Sequence, residues 1–72
     1  MQTHVAANIK AELARRDKTQ EDLAAVLNIS RQGISQRLLG RVAFRVYELQ
    51  KIADYLGVPV AELLADQTEA SA

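Results

Sequence analysis

Apolar side chains recur three and four positions apart along nearly the whole chain, and no stretch sustains the period-two alternation of a half-buried strand. A helix with one apolar stripe must bury that stripe against other elements. With 72 residues there is material for a single core. The expectation is an all-α domain of five short helices over residues 1–65. A polar tail rich in small residues follows at 66–72.

The first helix spans about 5–16. Val5, Ile9 and Leu13 align at intervals of four, with Lys10, Glu12, Arg15 and Arg16 outside the stripe. Its end falls near Asp17 and Lys18. The second helix begins at Thr19, a good capping residue, with Glu21 and Asp22 in the first turn, where carboxylates suit the helix dipole. Leu23, Ala24 and Leu27 form its buried stripe. Asn28, which tolerates the left-handed conformation, stops it. Ser30 caps a third helix over 30–39, in which Ile34 and Leu38 face inward and Gly40 closes the end. Gly33 costs this helix about 1 kcal/mol relative to Ala. It either admits a close approach of the second helix or of a ligand backbone, or is simply a weak position. Residues 41–45 connect to a fourth helix, about 46–56, with Leu49, Ile52, Ala53 and Leu56 as its stripe. The single Phe, Phe44, folds back into the core. Arg45 is a poor capping residue, and Gly57 ends the helix. A short fifth helix opens at Val58 and Pro59 and carries Leu63 and Leu64.

Several chemistries are excluded by composition. Without Cys there is no disulfide, thiolate nucleophile or Cys-based zinc site, and one His makes no His-rich metal site. No apolar run approaches the roughly 18 residues of a membrane span. Residues 1–8 lack the charged-then-apolar order of a signal peptide, so a cytoplasmic location is expected. A domain this small has little chain left to wall a deep pocket. There is also no nucleophile–base pair, so no enzyme, cofactor or small-molecule substrate is expected. His4 reads as a surface residue. Tyr47 and Tyr55 read as partly buried, with a dimer contact as the second reading. Asp54, Glu62 and Asp66 read as a solvated face.

Nine basic and nine acidic residues cancel, but not locally. Residues 30–45 carry Arg31, Arg37, Arg41 and Arg45 and no acid, and no acid occurs anywhere from Leu23 to Tyr47. Acids gather after residue 46. Screening over about 10 Å lets such a basic block attract phosphate although the whole chain is neutral. A chance cluster of Arg on a solvated surface is the competing reading of charge alone.

Helices 19–27 and 30–39, joined by a very short turn, make a helix-turn-helix. The steep crossing pushes the second of them outward. Its outer face holds Arg31, Gln32, Ser35 and Gln36, with Arg37 at its edge, and no carboxylate. The major groove presents donor and acceptor patterns that Gln matches at adenine and Arg at guanine. A plain polar surface helix explains Gln and Ser. It explains less well the missing acids, the short turn and the flanking Arg residues together.

The segments Thr19-Gln20-Glu21-Asp22-Leu23-Ala24, Leu27-Asn28-Ile29-Ser30-Arg31-Gln32-Gly33-Ile34-Ser35-Gln36 and Ile52-Ala53-Asp54-Tyr55-Leu56-Gly57-Val58 occur in that order. Together they resemble the lambdoid phage repressor and Cro family of helix-turn-helix domains, the XRE-like group, over about residues 5–65. The third-helix run with Phe44 soon after is most similar to repressor-type proteins of actinobacterial phages. The resemblance implies a five-helix domain that binds double-stranded DNA as a homodimer and represses by occupying an operator. It implies base-reading positions at Arg31, Gln32 and Gln36, with Ser35 nearby. Its implied phosphate contacts are Thr19 and Gln20 at the start of the second helix, Ser30, and Arg41 and Arg45 after the third. Two positions depart from the pattern. Asn28 stands where Gly is common. Arg37 stands at a commonly apolar position, which would rotate the helix slightly and bring Arg37 toward DNA. A rival reading is a protein–protein module of the same fold, such as an antitoxin, working through exposed apolar residues of the fifth helix.

Overall fold

A computed structural model describes residues 3–65. It contains α1 (Thr3–Arg15), α2 (Gln20–Leu27), α3 (Arg31–Leu38), α4 (Val46–Leu56) and α5 (Val60–Leu64), with no strand among the described residues. The expected helices are all present, with ends shifted by one or two residues. Pro59 precedes α5 as its cap residue. The proposed tail, 66–72, lies outside the described residues.

The first four helices stop in the same way. Asp17, Asn28, Gly40 and Gly57 each take a positive φ, between 56° and 81°. In each case the next residue's amide reaches back to a carbonyl five positions earlier. Lys18 donates to Leu13, Ile29 to Ala24, Arg41 to Gln36 and Val58 to Ala53, at 2.9–3.0 Å. This satisfies carbonyls that a helix end would otherwise leave bare. Ile29 and Val58, the residues just past two of these stops, pack against the core.

The predicted stripes form that core. Val5, Ile9 and Leu13 from α1 meet Leu23 and Leu27 from α2, Ile34 and Leu38 from α3, and the stripe of α4. Phe44 folds inward from the α3–α4 loop, as expected. In α5 only Leu63 is buried, and Leu64 is exposed. Helix α1 packs on α3 and α5, and α2 packs on α3 and α4.

Two expectations are corrected here. Glu12, placed outside the stripe of α1, is buried, because Arg15 and Arg16 fold over it and both pair with its carboxylate. Tyr47, read as partly buried, is 55% exposed, because it lies with Val46 on the outer side of the first turn of α4, whose inner side is taken by Glu48 and Leu49. Tyr55 lies under the Lys18 ammonium, 5.6 Å from the ring centre.

The buried Asn8 was not singled out by its sequence context. Its side-chain amide donates to the carbonyls of Leu63 at 2.9 Å and Ala65 at 2.8 Å. A side chain of α1 thereby caps the end of α5, which is too short to hold itself. We expect Asn8→Ala to cost about 1–3 kcal/mol in urea unfolding, since two carbonyls lose their donor. Amide exchange should rise first in residues 60–65. Unchanged exchange there would refute the clamp.

Candidate nucleic-acid interface

Three residues join α2 to α3, and each has a local task. Asn28 takes the left-handed turn, with φ 56° and ψ 44°. Ile29 anchors the turn to the core. Ser30 caps α3, its Oγ accepting the Gly33 amide at 3.0 Å. At the start of α2, Thr19 and Asp22 form the reciprocal cap that residue type and spacing anticipate. Asp22 N–H donates to Thr19 Oγ1 at 3.3 Å, and Thr19 N–H donates to Asp22 Oδ2 at 2.8 Å. The backbone amide and then the hydroxyl of Thr19 hold the Asp22 carboxyl below its ordinary 3.8.

This arrangement sets the outer face of α3. Ile34 and Leu38 are buried on the inner side. At about 100° per residue, Gln32 and Gln36 lie about 160° from Ile34 on either side. Gln32 is exposed, and Ser35 and Gln36 are partly exposed. Neither glutamine amide has a hydrogen-bond partner among the described residues. Arg31, at the first turn, is 71% exposed and touches Glu21 of α2 at 3.2 Å. A pair this exposed is worth little and can be exchanged for another anion. Arg41 and Arg45 are both exposed in the loop that follows.

Two expected contacts look different in three dimensions. Arg37 is turned inward. Its guanidinium donates from Nε and Nη2 to the two oxygens of Glu48, each at 3.1 Å, and from Nη1 to the Gly33 carbonyl at 3.0 Å. The pair is only 15% and 2% exposed. Arg37 therefore leaves the set of base-reading candidates, because its guanidinium is largely buried and each of its three nitrogens already donates inside the domain. Thr19 is weakened as a phosphate contact, because its hydroxyl hydrogen goes to Asp22 Oδ2 at 3.1 Å. Ser30 differs, since its Oγ accepts from Gly33 and its own hydrogen stays available to an anion. Gly33 is not a gap for α2. A Cβ there would meet Arg37 Nη1, Ile29 Cδ1 and Ser30 Oγ, all at 3.4 Å.

Glu48 is the residue that sequence reasoning missed. It is buried and accepts the Arg45 amide at 2.9 Å as well as the Arg37 fork. Two signals point to it in hindsight. It stands three residues after the helix start at Arg45, where a carboxylate can cap backbone, and an inward-facing Arg37 requires a counter-charge.

The fold and this outward helix define a small helix-turn-helix domain, an architecture that places its second helix in a DNA groove. The chain belongs to the Helix-turn-helix family HTH_3, whose model matches residues 9–63. Its structure is similar to the crystal structure of the hypothetical transcription factor NHTF from Neisseria, with a TM-score of 0.85 at 24% identity. That likeness covers 97% of this chain and 80% of the other. No curated protein matches the sequence. No helix among the described residues is long and apolar enough to cross a membrane.

Burial, the largest single influence on Glu48, pushes its carboxyl upward. The hydrogen bonds from Arg37 and from the Arg45 amide, with the charges of both arginines, outweigh burial and hold it below its ordinary 4.5. The folded state thus favours the ionised form. That stabilisation is fully present above pH 4.5 and is lost as pH falls through the lower folded-state value. We expect the urea midpoint to fall more steeply on acidification below pH 4.5 in the natural protein than in Glu48→Gln. Parallel pH profiles would show that Glu48 makes no such contribution.

Proposed function

We propose that this chain is a sequence-specific, double-stranded DNA-binding transcriptional regulator. We take it to be a repressor of phage type that occupies a pseudo-palindromic operator. The observation that carries the reading is the outer face of α3. Two unengaged glutamine amides stand opposite the buried Ile34 and Leu38, flanked by exposed Arg31, Arg41 and Arg45, with no acid from Leu23 to Tyr47. A helix about 10–12 Å across fits a major groove about 12 Å wide.

In this reading Arg31, Gln32, Ser35 and Gln36 meet base edges. Gln20, the Ser30 hydroxyl, Arg41 and Arg45 grip phosphates on either side. Glu21 holds Arg31 until DNA supplies the stronger anion. Phosphate contacts position the helix and carry most of the salt dependence, while base contacts discriminate. A homodimer would place two such helices about 34 Å apart, one turn of the duplex. Val42, Val46 and Tyr47, exposed around the start of α4, and Leu64 of α5 offer apolar area for the second subunit, while Phe44 is buried in its own core.

Selection from a randomised duplex pool, followed by gel shifts on the selected site, tests the reading. We expect Gln36→Ala to relax preference at one base pair by about 1–3 kcal/mol. Retention of full preference would remove Gln36 from the base-reading set. We expect Arg41→Ala to weaken binding to every sequence alike and to lower the log–log salt slope by about one unit. An unchanged slope would remove Arg41 from the phosphate contacts. If α3 variants keep full biological activity while a variant of the exposed Leu64 in α5 loses it, the protein–protein reading replaces this one.

A further inference from the structure

Helix α3 has a weak hold on its own rotation. It is eight residues long, and its buried side chains are Ile34 and Leu38. These lie four apart and only about 40° apart around the axis. Two anchors on nearly one line resist sliding better than rolling. The main packing neighbours of α3 are α2 and α1. Toward α4, the directional tie is the Arg37–Glu48 fork, beside the shared apolar core.

The fork is placed where it governs roll. Arg37 lies about 60° from Ile34 around the axis, on the Gln36 side. It is therefore a lateral strut between the buried line and the outer face. Two parallel N–H···O bonds of 3.1 Å fix both the position and the plane of the guanidinium, which one point contact does not. The third bond, to Gly33 O at 3.0 Å, clamps the guanidinium against the preceding turn of the same helix. At a side-chain radius of about 6 Å, a roll of about 10° displaces a tip by about 1 Å. A hydrogen bond tolerates about half of that. Glu48 also accepts the Arg45 amide at 2.9 Å, so the same carboxylate holds the loop that bears Arg41 and Arg45.

We propose that Arg37 is a positioning residue: its forked bond to Glu48 sets the roll of α3 and couples it to the following loop, so that the glutamine amides and the loop cations meet one duplex in register. This rests on the base-reading role assigned to α3 above. The Arg37–Glu48 pair touches no DNA itself. It determines how finely the protein discriminates rather than whether it binds phosphate. Lysine keeps the charge but replaces the planar fork with a flexible point contact.

Arg37→Lys is the direct test, read in two ways. Residual dipolar couplings of the backbone amides report the orientation of α3 relative to α1 and α4 without any DNA. Gel shifts on the duplex selected by the natural protein and on a scrambled duplex give the discrimination ratio. We expect the α3 couplings to change or average down while those of α1 and α4 hold. The ratio should fall about tenfold, the scale of one base contact, with scrambled-duplex affinity kept within about twofold. Asn8→Ala, which loosens the end of α5 and leaves the fork intact, should leave the ratio unchanged. If Arg37→Lys does not fold, the double variant Arg37→Met with Glu48→Gln removes both charges and should show the same two losses. Unchanged α3 couplings overturn the proposal, as does an undiminished ratio. An equal fall of the ratio in Asn8→Ala also overturns it, by reducing the effect to general stability. If the natural protein selects no sequence at all, the base-reading role fails, and the couplings alone still decide whether the fork sets the roll.

Discussion

Between Leu27 and Arg31 the chain must end one helix, change direction and start another within three residues. Asn28 accomplishes the stop by entering the left-handed region, where its short polar side chain is tolerated better than most. Ile29 returns to the core and Ser30 supplies the acceptor that the new helix needs. A longer connection would let α2 and α3 lie antiparallel and bury the face that this one leaves outside. The outward amides of Gln32 and Gln36 and the placement of Arg31 all follow from this short turn.

The core itself is less purely apolar than a domain of this size would suggest. Asn8, Glu12 and Glu48 are buried, and each is satisfied by partners from the same small domain. A buried ion pair is not an efficient source of stability, because desolvation cancels much of its attraction. Its geometry is another matter. An apolar pair at positions 37 and 48 would pack in several ways, whereas a guanidinium and a carboxylate meet in one. The structure places this directional contact beside the helix whose orientation matters most.

The fold also redistributes a charge pattern that looks simpler in one dimension. Arg31, Arg37, Arg41 and Arg45 form an acid-free block in the sequence. In space Glu48 neutralises Arg37 inside the domain, and Glu21 lies against Arg31. Two exposed cations, Arg41 and Arg45, remain without such a pairing among the described residues. An overall neutral chain thus keeps a local positive edge, and screening confines the acids of its C-terminal half to their own surroundings.

Helix number, helix stops and core stripes were legible in the chain because they depend on neighbours at most four or five residues away. Periodicity set the stripes. Thr19, Asn28, Ser30, Gly40 and Gly57 marked boundaries through backbone chemistry that each residue type carries with it. The glutamines opposite Ile34 and Leu38 could be placed for the same reason. Arg37, Glu48 and Asn8 could not be placed this way. Whether a charged or amide side chain faces inward depends on what stands across from it. For Arg37 that is a carboxylate eleven positions away, and for Asn8 carbonyls more than fifty positions away. Local sequence determined the helices and their ends. Tertiary packing decided which polar groups went inside, because only the folded chain brings a distant partner close enough to offset desolvation.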